Sequence, residues 1–234
     1  MTGLVRKATF LSVCGLLIAG SAMAFVPNPT TSSVPCGINI VGWNSTTADP
    51  VGNFTIIVKD IAGNPVPNSP IVVDFTACCN DIRVAGTQHS GSLTLDGTKK
   101  KVLGTTNGAG VLTMSIMGMA AALRPAPTNA RGAGTNNGCA DLYASSYLLT
   151  PNHIQVGTFD EDGGAGGLGV SGADFSVFLG DWLPGIYYQR GDYNYGVTCS
   201  QSPGITGADF SVFLGVWLGP GTSALNVAPT ATCP

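Results

Sequence analysis

The sequence predicts a mainly β protein, in which a β-sandwich is followed by a small α-helical domain. Short runs rich in valine, isoleucine and threonine follow one another from residue 38 to residue 159, separated by turn residues and by no helical pattern. This order is typical of a sandwich. Near the C-terminus a 15-residue segment occurs twice, from Gly169 and from Gly204, with 12 identical positions. Each copy has apolar residues at helical spacing, so each is predicted to form one helix.

Residues 1–24 are predicted to be a signal peptide. Arg6 and Lys7 precede an apolar run over residues 8–19, and Ala22-Met23-Ala24 fits a cleavage site. The run is shorter than the roughly 20 residues needed to cross a bilayer, and no later segment is apolar enough. We therefore expect a secreted, extracellular protein, free or associated with the cell surface, with no membrane span after the signal is removed.

The rest of the chain is divided into four predicted segments. Residues 25–35 form an N-terminal extension that proline breaks, and we expect either a free tail or an arm that orders on a neighbour. Residues 36–158 form the sandwich, residues 159–221 the duplicated domain and residues 222–234 a C-terminal tail. Within the sandwich, residues 121–138 are broken repeatedly by proline and glycine and are expected to form a long loop.

Eight runs are predicted as strands of the sandwich. They are residues 38–43, 53–60, 70–76, 91–97, 100–106, 110–118, 141–149 and 153–159. The turns Ala62-Gly63-Asn64-Pro65 and Asn107-Gly108-Ala109-Gly110 between them contain residues that adopt positive φ or preset a bend. Helix is expected to be scarce outside the duplicated segment.

Charge separates the two halves of the mature chain. Residues 25–155 hold six acidic and seven basic residues, whereas residues 156–234 hold seven acidic residues and one basic residue. The C-terminal half is therefore the predicted cation-binding half. The only basic run, Lys99-Lys100-Lys101, fits a solvated strand edge better than a nucleic-acid site, so no nucleic-acid partner is expected.

Catalysis is not expected. A glycosidase needs two carboxylates placed across one bond, yet the sandwich half has no glutamate and only six scattered aspartates. Neither His89 nor His153 lies in a recognisable nucleophile motif, and the serines have no evident base.

Cysteine usage agrees with export, because removal of the signal peptide leaves an even set. The disulfide candidates are Cys36, Cys78, Cys79, Cys139, Cys199 and Cys233. Cys78 and Cys79 are neighbours, and neighbouring cysteines rarely bridge each other. They are therefore expected to bond to Cys36 and Cys139, in one of two orders. Cys199 and Cys233 would then tie the C-terminal tail to the second acidic loop.

The sandwich half resembles the bacterial Ig-like domains of the invasin and intimin type. The residues that carry the resemblance are Ile57-Val58-Lys59-Asp60, Gly63-Asn64-Pro65-Val66-Pro67, Val72-Val73-Asp74-Phe75 and the run from Thr105 to Val111. The resemblance covers about a hundred residues, the usual size of such a domain. It implies a spacer, stalk or adhesive module and no catalytic site.

Each predicted helix follows an acidic, glycine-rich stretch. Asp160-Glu161-Asp162-Gly163-Gly164 precedes the first, and Asp192-Tyr193-Asn194-Tyr195-Gly196 precedes the second. Alternate oxygen-bearing residues, then glycine, then a helix with one fixed aspartate form the outline of a calcium loop. The duplicated segment thus resembles a dockerin, a pair of F-hand calcium loops that docks onto cohesin domains in extracellular complexes.

The resemblance implies two calcium ions. The predicted ligands are Asp160, Asp162 and Asp174 for one ion and Asp192, Asn194 and Asp209 for the other, completed by carbonyl oxygens near Gly164 and Gly196 and waters held by Ser171 and Thr206. From first to last aspartate the loops have 15 and 18 residues, whereas an EF-hand loop has about 12.

Three functions compete. The first is a secreted, non-catalytic calcium-binding protein that mediates extracellular interaction or attachment through the dockerin-like module, with a cohesin-like partner. The second is a structural subunit that assembles with copies of itself into a calcium-stabilised extracellular fibre, tube or surface layer. The third is a carbohydrate-binding accessory module, for which the sandwich half offers few aromatic residues.

Overall fold

The computed structural model describes residues 25–42, 50–78, 81–88, 93–96, 100–121, 138–164, 169–185, 189–194 and 204–219. The predicted signal peptide and the C-terminal tail lie outside these residues, as do Cys79, Cys199, Cys233 and Gly196. The described part is mainly β, as predicted, and contains two α-helices. Neither helix is long and apolar enough to cross a bilayer.

The strands, in chain order, are β1 (Gly37–Ile40), β2 (Phe54–Ile57), β3 (Pro70–Asp74), β4 (Ile82–Val84), β5 (Thr94–Leu95), β6 (Lys101–Thr105), β7 (Val111–Met114), β8 (Gly118–Ala120), β9 (Asp141–Ala144), β10 (Tyr147–Leu148) and β11 (Gln155–Thr158). The helices are α1 (Gly172–Trp182) and α2 (Gly207–Trp217).

The largest sheet has five antiparallel strands in the order β10-β9-β3-β6-β5. Its central strand β3 alternates between buried and more exposed residues, and Ile71 and Val73 point to the core. Three further pairs complete the β part: β1 with β11 in parallel, and β2 with β7 and β4 with β8 antiparallel. Buried side chains from all four of these sheets form one hydrophobic cluster, which holds the β part together.

Every predicted run contains a strand, with two differences. The run 141–149 is divided into β9 and β10 by Ser145 and Ser146, which both have positive φ and so make a tight reversal. No predicted run covers β4, and only Gly118 of β8 lies in one; these two strands pair with each other. They are three residues long, and β8 has the weak β-formers glycine and alanine, so tertiary pairing rather than propensity decides their structure.

Cys78 and Cys139 form a disulfide in the core of the β part. This bridge is one of the four that the two predicted orders allow. Cys36 is also disulfide-bonded. The order that contains the observed bridge pairs Cys36 with Cys79, which lies outside the described residues, so that second bridge stays a prediction.

The N-terminal extension is ordered against its own chain, which differs from both expectations for it. Ser33 and Ile57 exchange two backbone hydrogen bonds, so the extension lies along the edge of β2. The backbone N–H of Asn28 donates to the carbonyl of Lys59, and the Thr31 hydroxyl donates to the carbonyl of Asp60 at 2.7 Å. The polar residues that disfavour a helix here instead satisfy an exposed strand edge.

The two helices begin with matching caps, as the duplication predicts. Ser171 and Thr206 are the N-caps, and each forms a capping box with the aspartate three residues later, Asp174 or Asp209. The apolar stripes of the helices meet in a second hydrophobic cluster, where Phe178 and its counterpart Phe213 are fully buried. This cluster packs against Val41 and Phe159, so the helical pair lies directly on the β part.

Candidate metal centre

Three predicted ligands lie together in the first loop, directly after β11. Single carboxylate oxygens of Asp160, Asp162 and Asp174 all lie within 4.8 Å of one another. The side chains are nearly inaccessible to solvent, with exposed fractions of 3%, 9% and 0%. Clusters of exposed acidic residues are common and uninformative, but three buried carboxylates at this spacing require an explanation.

Asp174 is held in place from both ends of the loop. Its Oδ1 accepts the backbone N–H of Asp162 at 3.0 Å, and its Oδ2 accepts the backbone N–H and the hydroxyl of Ser171 at 2.7 and 2.9 Å. Ser171 is the N-cap of α1, so the start of the helix and the start of the loop are fixed relative to one carboxylate. This explains why the insertion in the loop does not separate the early ligands from Asp174.

Asp160 fixes the middle of the first loop through two hydrogen bonds to its backbone. It accepts the backbone N–H of Gly164 on Oδ1 and that of Gly169 on Oδ2, both at 3.0 Å. Gly163 and Gly164 have φ angles of 67° and 80°, a conformation that a side chain would disfavour. The two glycines therefore make the sharp turn of the loop, and the backbone N–H of Gly164 also donates to Asp162 Oδ1 at 2.7 Å. The carbonyl ligand near Gly164 stays a prediction.

The buried carboxylates raise each other's affinity for protons. Burial raises the pKa of Asp160 to about 7, and the negative charges of Asp174 and Asp162 contribute to the increase. Burial, together with the charge of Asp162, also raises the pKa of Asp174. Asp160 and Asp174 form no ion pair with any described basic side chain. A bound cation would supply the missing positive charge.

The second loop repeats the hydrogen bonds of the first. The Oδ1 of Asp209 accepts the N–H of Asn194 at 3.0 Å, and its Oδ2 accepts the N–H and hydroxyl of Thr206, both at 2.8 Å. Asp192 Oδ2 accepts the N–H of Gly204 at 3.3 Å. Asp192, Asn194 and Asp209 therefore take the places of Asp160, Asp162 and Asp174. Asparagine carries no charge, so the second loop offers one carboxylate fewer.

These equivalent contacts locate the difference in loop length. The two helices are offset by 35 residues, but Asp192 corresponds to Asp160 with an offset of only 32. The three additional residues of the second loop therefore lie between Asn194 and Gly204, a stretch outside the described residues that includes Gly196. The beginning of the second loop is unaffected by them.

A buried charged cluster that the sequence pattern does not predict lies beside the first loop. Arg190, with an exposed fraction of 1%, donates from Nε and Nη2 to Asp181 Oδ2 at 3.2 and 3.1 Å. The same guanidinium lies 3.8 Å from Glu161 Oε2 and 3.9 Å from Asp81 Oδ1. We call these four residues the Arg190 cluster. One signal was available: Arg190 is the single basic residue after position 155.

Tyr193 lies in the second loop, between the candidate ligands Asp192 and Asn194, and is buried. Its hydroxyl donates to Glu161 Oε1, and its ring stacks on Phe159 with the centroids 4.4 Å apart. Its backbone N–H donates to Asp209 at 2.8 Å. Four tyrosines lie between the two helices in the sequence: Tyr187, Tyr188, Tyr193 and Tyr195. Tyr193 belongs to the hydrophobic core, and the other three lie outside the described residues.

Comparisons with protein-family models, with curated proteins and with solved structures found nothing that matches the chain. The resemblances to Ig-like domains and to dockerins stay predictions from the sequence, and the site has to be interpreted from its own geometry.

Proposed function

We propose that the chain is a secreted, non-catalytic calcium-binding protein that mediates extracellular protein–protein interaction or attachment. In this proposal an Ig-like β-sandwich carries a dockerin-like pair of calcium loops. The observation that carries it is the trio of buried aspartates in the first loop, whose carboxylate oxygens lie within 4.8 Å of one another. The repeated hydrogen bonds of the second loop support a second, weaker site.

The ligand atoms favour calcium over softer metals. Carboxylate, carbonyl and hydroxyl oxygens are the donors that hard dications prefer, and calcium accepts six to eight of them in an irregular arrangement. Three carboxylates would more than balance the two charges of the ion at the first loop. Asp160, Asp162 and Asp174 would hold it directly, and Ser171 would position Asp174 for it.

The exposed starts of the two helices fit a role in partner binding. Gly172 and Gly207 are the first residues of α1 and α2 and are exposed. A β-carbon added at either position would meet no atom within 4 Å, so helix packing does not require glycine there. Small residues at a matched pair of exposed positions suit close approach of a partner such as a cohesin-like receptor.

Calcium binding is expected to weaken as the pH falls below about 7. In the metal-free fold Asp160 has a pKa of about 7 instead of 3.8, so it takes up a proton that calcium must displace. Competition by one proton weakens the affinity about tenfold between pH 8 and pH 6. The raised pKa also means that the stability of the metal-free protein falls as the pH rises from about 4 to about 7. Calorimetric titrations at several pH values check the first effect, and urea unfolding in chelator checks the second.

Sedimentation of residues 25–234, the chain expected after removal of the signal peptide and called the exported chain below, tests the proposal. It is measured in millimolar calcium and again with chelator. We expect a compact monomer with calcium that expands or melts earlier on chelation, and that binds an immobilised cohesin domain only with calcium. If the size and the melting temperature of the chain are the same with calcium and with chelator, the proposed function is excluded. Large ordered species that form only with calcium would favour self-assembly instead of docking to a receptor.

Self-assembly into a fibre, tube or layer is the second candidate, and one feature favours it. The edge strand β10 exposes half of Tyr147 and two fifths of Leu148, and an exposed apolar edge is suited to pairing with another strand. The N-terminal extension supports self-assembly less than the sequence suggests, because it pairs with β2 of its own chain.

The carbohydrate-binding alternative has less support. A sugar-binding face needs exposed aromatic rings, but Phe54 and Phe75 are buried in the core. Phe25 and Tyr147 are the large aromatic side chains that are well exposed in the described β part, and they lie on the N-terminal extension and the edge strand β10.

A further inference from the structure

Glu161 connects the candidate calcium site to the Arg190 cluster. It lies between the ligands Asp160 and Asp162, whose side chains point into the candidate metal centre. The Glu161 carboxylate instead faces Arg190 and accepts the hydroxyl of Tyr193. Consecutive residues of one short loop therefore contact two different sites, and neither site can rearrange without moving the backbone of the other.

The Arg190 cluster joins three parts of the molecule. Asp81 lies in the turn before β4, Glu161 in the first loop and Asp181 in α1. Two backbone hydrogen bonds strengthen the connection to the β part: the N–H of Ala120 donates to the carbonyl of Asp160, and that of Ala121 donates to the carbonyl of Asp81, both at 2.8 Å. The first loop is thus hydrogen-bonded to β8. Ala121, which directly follows β8, is hydrogen-bonded to Asp81, and Asp81 faces Arg190.

Tyr193 connects the second loop to the β part. The carbonyl of Tyr193 accepts the side-chain amide of Asn39 in β1 at 3.3 Å, and the Tyr193 hydroxyl, besides its contact with Glu161, also donates to the carbonyl of Thr158 in β11 at 3.2 Å. Its backbone N–H donates to the candidate ligand Asp209. Both loops therefore contact the β part through residues adjacent to their own candidate ligands.

We propose that calcium binding at the loops and attachment of the helical pair to the β part are coupled through the Arg190 cluster and Tyr193. Calcium fixes the loops, and the loops in turn hold Glu161 and Tyr193 against the β part. Because such coupling is reciprocal, a weaker junction must also weaken calcium binding. This inference rests on the proposed calcium sites and adds a consequence: calcium would set the rigidity of the whole chain, not only that of the helical pair.

Arg190→Gln tests the coupling, because two explanations predict opposite signs. If charge alone acted, removal of a positive charge near the metal site would strengthen calcium binding. Coupling through the junction predicts weaker binding, by about fivefold or more, the lower end of typical allosteric couplings. Calcium affinity is measured by calorimetry on the exported chain at 0.15 M salt, together with the calcium-dependent shift in melting temperature.

Lys101→Gln is the matched control, since it removes one positive charge from the β part, in a partly exposed ion pair with Asp74. It should leave the calcium affinity within about twofold, because the pair lies across β3 and β6 of the five-stranded sheet and ion pairs near the surface contribute little. Arg190→Lys provides a second variant that keeps the charge but loses the two-pronged contact with Asp181. If Arg190→Gln does not fold, the lysine variant decides: weaker calcium binding is again expected, and unchanged affinity would overturn the coupling.

The two proposals fail in different ways. Wild-type protein that binds no calcium would overturn the proposed function, and the coupling with it. Wild-type protein that binds calcium, with an Arg190→Gln variant that binds it equally or more tightly, would overturn the coupling alone.

Discussion

Asp174→Asn is expected to abolish strong calcium binding at the first loop, with a loss of affinity on the order of tenfold or more, because affinity in such loops depends on the number of charged ligands. Asp174 has no exposed surface and is the carboxylate that both ends of the loop hold in place. Asparagine has nearly the same shape, so the variant removes charge with little change in packing. Calorimetric titration with calcium measures the loss.

The stability of the metal-free variant distinguishes a metal ligand from a simple helix cap. Burial and neighbouring charges raise the pKa of Asp174, which means that its negative charge is unfavourable in the metal-free fold. The neutral amide removes that repulsion. With its oxygen towards Ser171, the asparagine keeps both hydrogen bonds from that residue and loses the one from the Asp162 N–H, a cost of about 1–2 kcal/mol that the relieved repulsion offsets. We therefore expect a small change in chelator and a clear loss of stability in calcium. Equal destabilisation in both conditions would identify Asp174 as a cap alone.

Asp209→Asn is the matched variant in the second loop, where Thr206 and Asn194 repeat the contacts of Ser171 and Asp162, but where the early ligand Asn194 carries no charge. The second site has fewer charges, so its loss should remove the weaker of two binding events. An exposed serine of α1, Ser176, provides a neutral control, and its alanine variant should bind calcium like the wild type.

Phe178→Ala is expected to lower the free energy of unfolding of the helical pair by about 3–5 kcal/mol, the usual cost of removing a fully buried phenylalanine. The ring is completely inaccessible and lies at the centre of the aromatic cluster, 5.3 Å from Phe213 and 6.0 Å from Tyr193, measured between centroids. The cavity would open between the two repeats and beside the residue that links them to the β part.

Urea unfolding followed by tryptophan fluorescence measures this loss, because Trp182 and Trp217 belong to the same cluster. Phe175→Ala is the matched control: it removes the same side chain from a half-buried position of the same helix and should cost clearly less. If Phe178→Ala lost less than about 1 kcal/mol, the cluster would not be what holds the repeats together. Equal losses from both variants would show instead that the complete burial of Phe178 does not set the cost, since Phe175 also packs against the cluster.

The outcome for the strands shows how far sequence pattern reaches. Each of the eight predicted runs of β-branched residues contains a strand. Such runs are informative because side-chain alternation and turn residues act over a few neighbouring residues. The pair β4 and β8 escaped detection because each strand is only three residues long and β8 carries the weak β-formers glycine and alanine. Their strand structure depends on finding each other across the fold, which no local pattern records.

The disulfides show the same limit. The even count and the adjacent pair reduced the possibilities to two orders, but the choice between them needs the distance between Cys78 and Cys139 in the folded chain. Likewise, the extension at residues 25–35 was expected to be free or to bind a neighbour, because its composition does not show that the edge of its own β2 is available.

The sequence by itself determined the mainly β class, the two helices and the aspartates that meet in the first loop. These features follow from spacing along the chain: apolar residues on one helical face, and acidic residues that one turn brings together. Only the tertiary structure decided that Glu161 points away from its neighbours towards Arg190, and that Asp81 joins them. Such contacts form between residues far apart in sequence, and a buried charge takes its partners from whichever segments the folded core brings beside it.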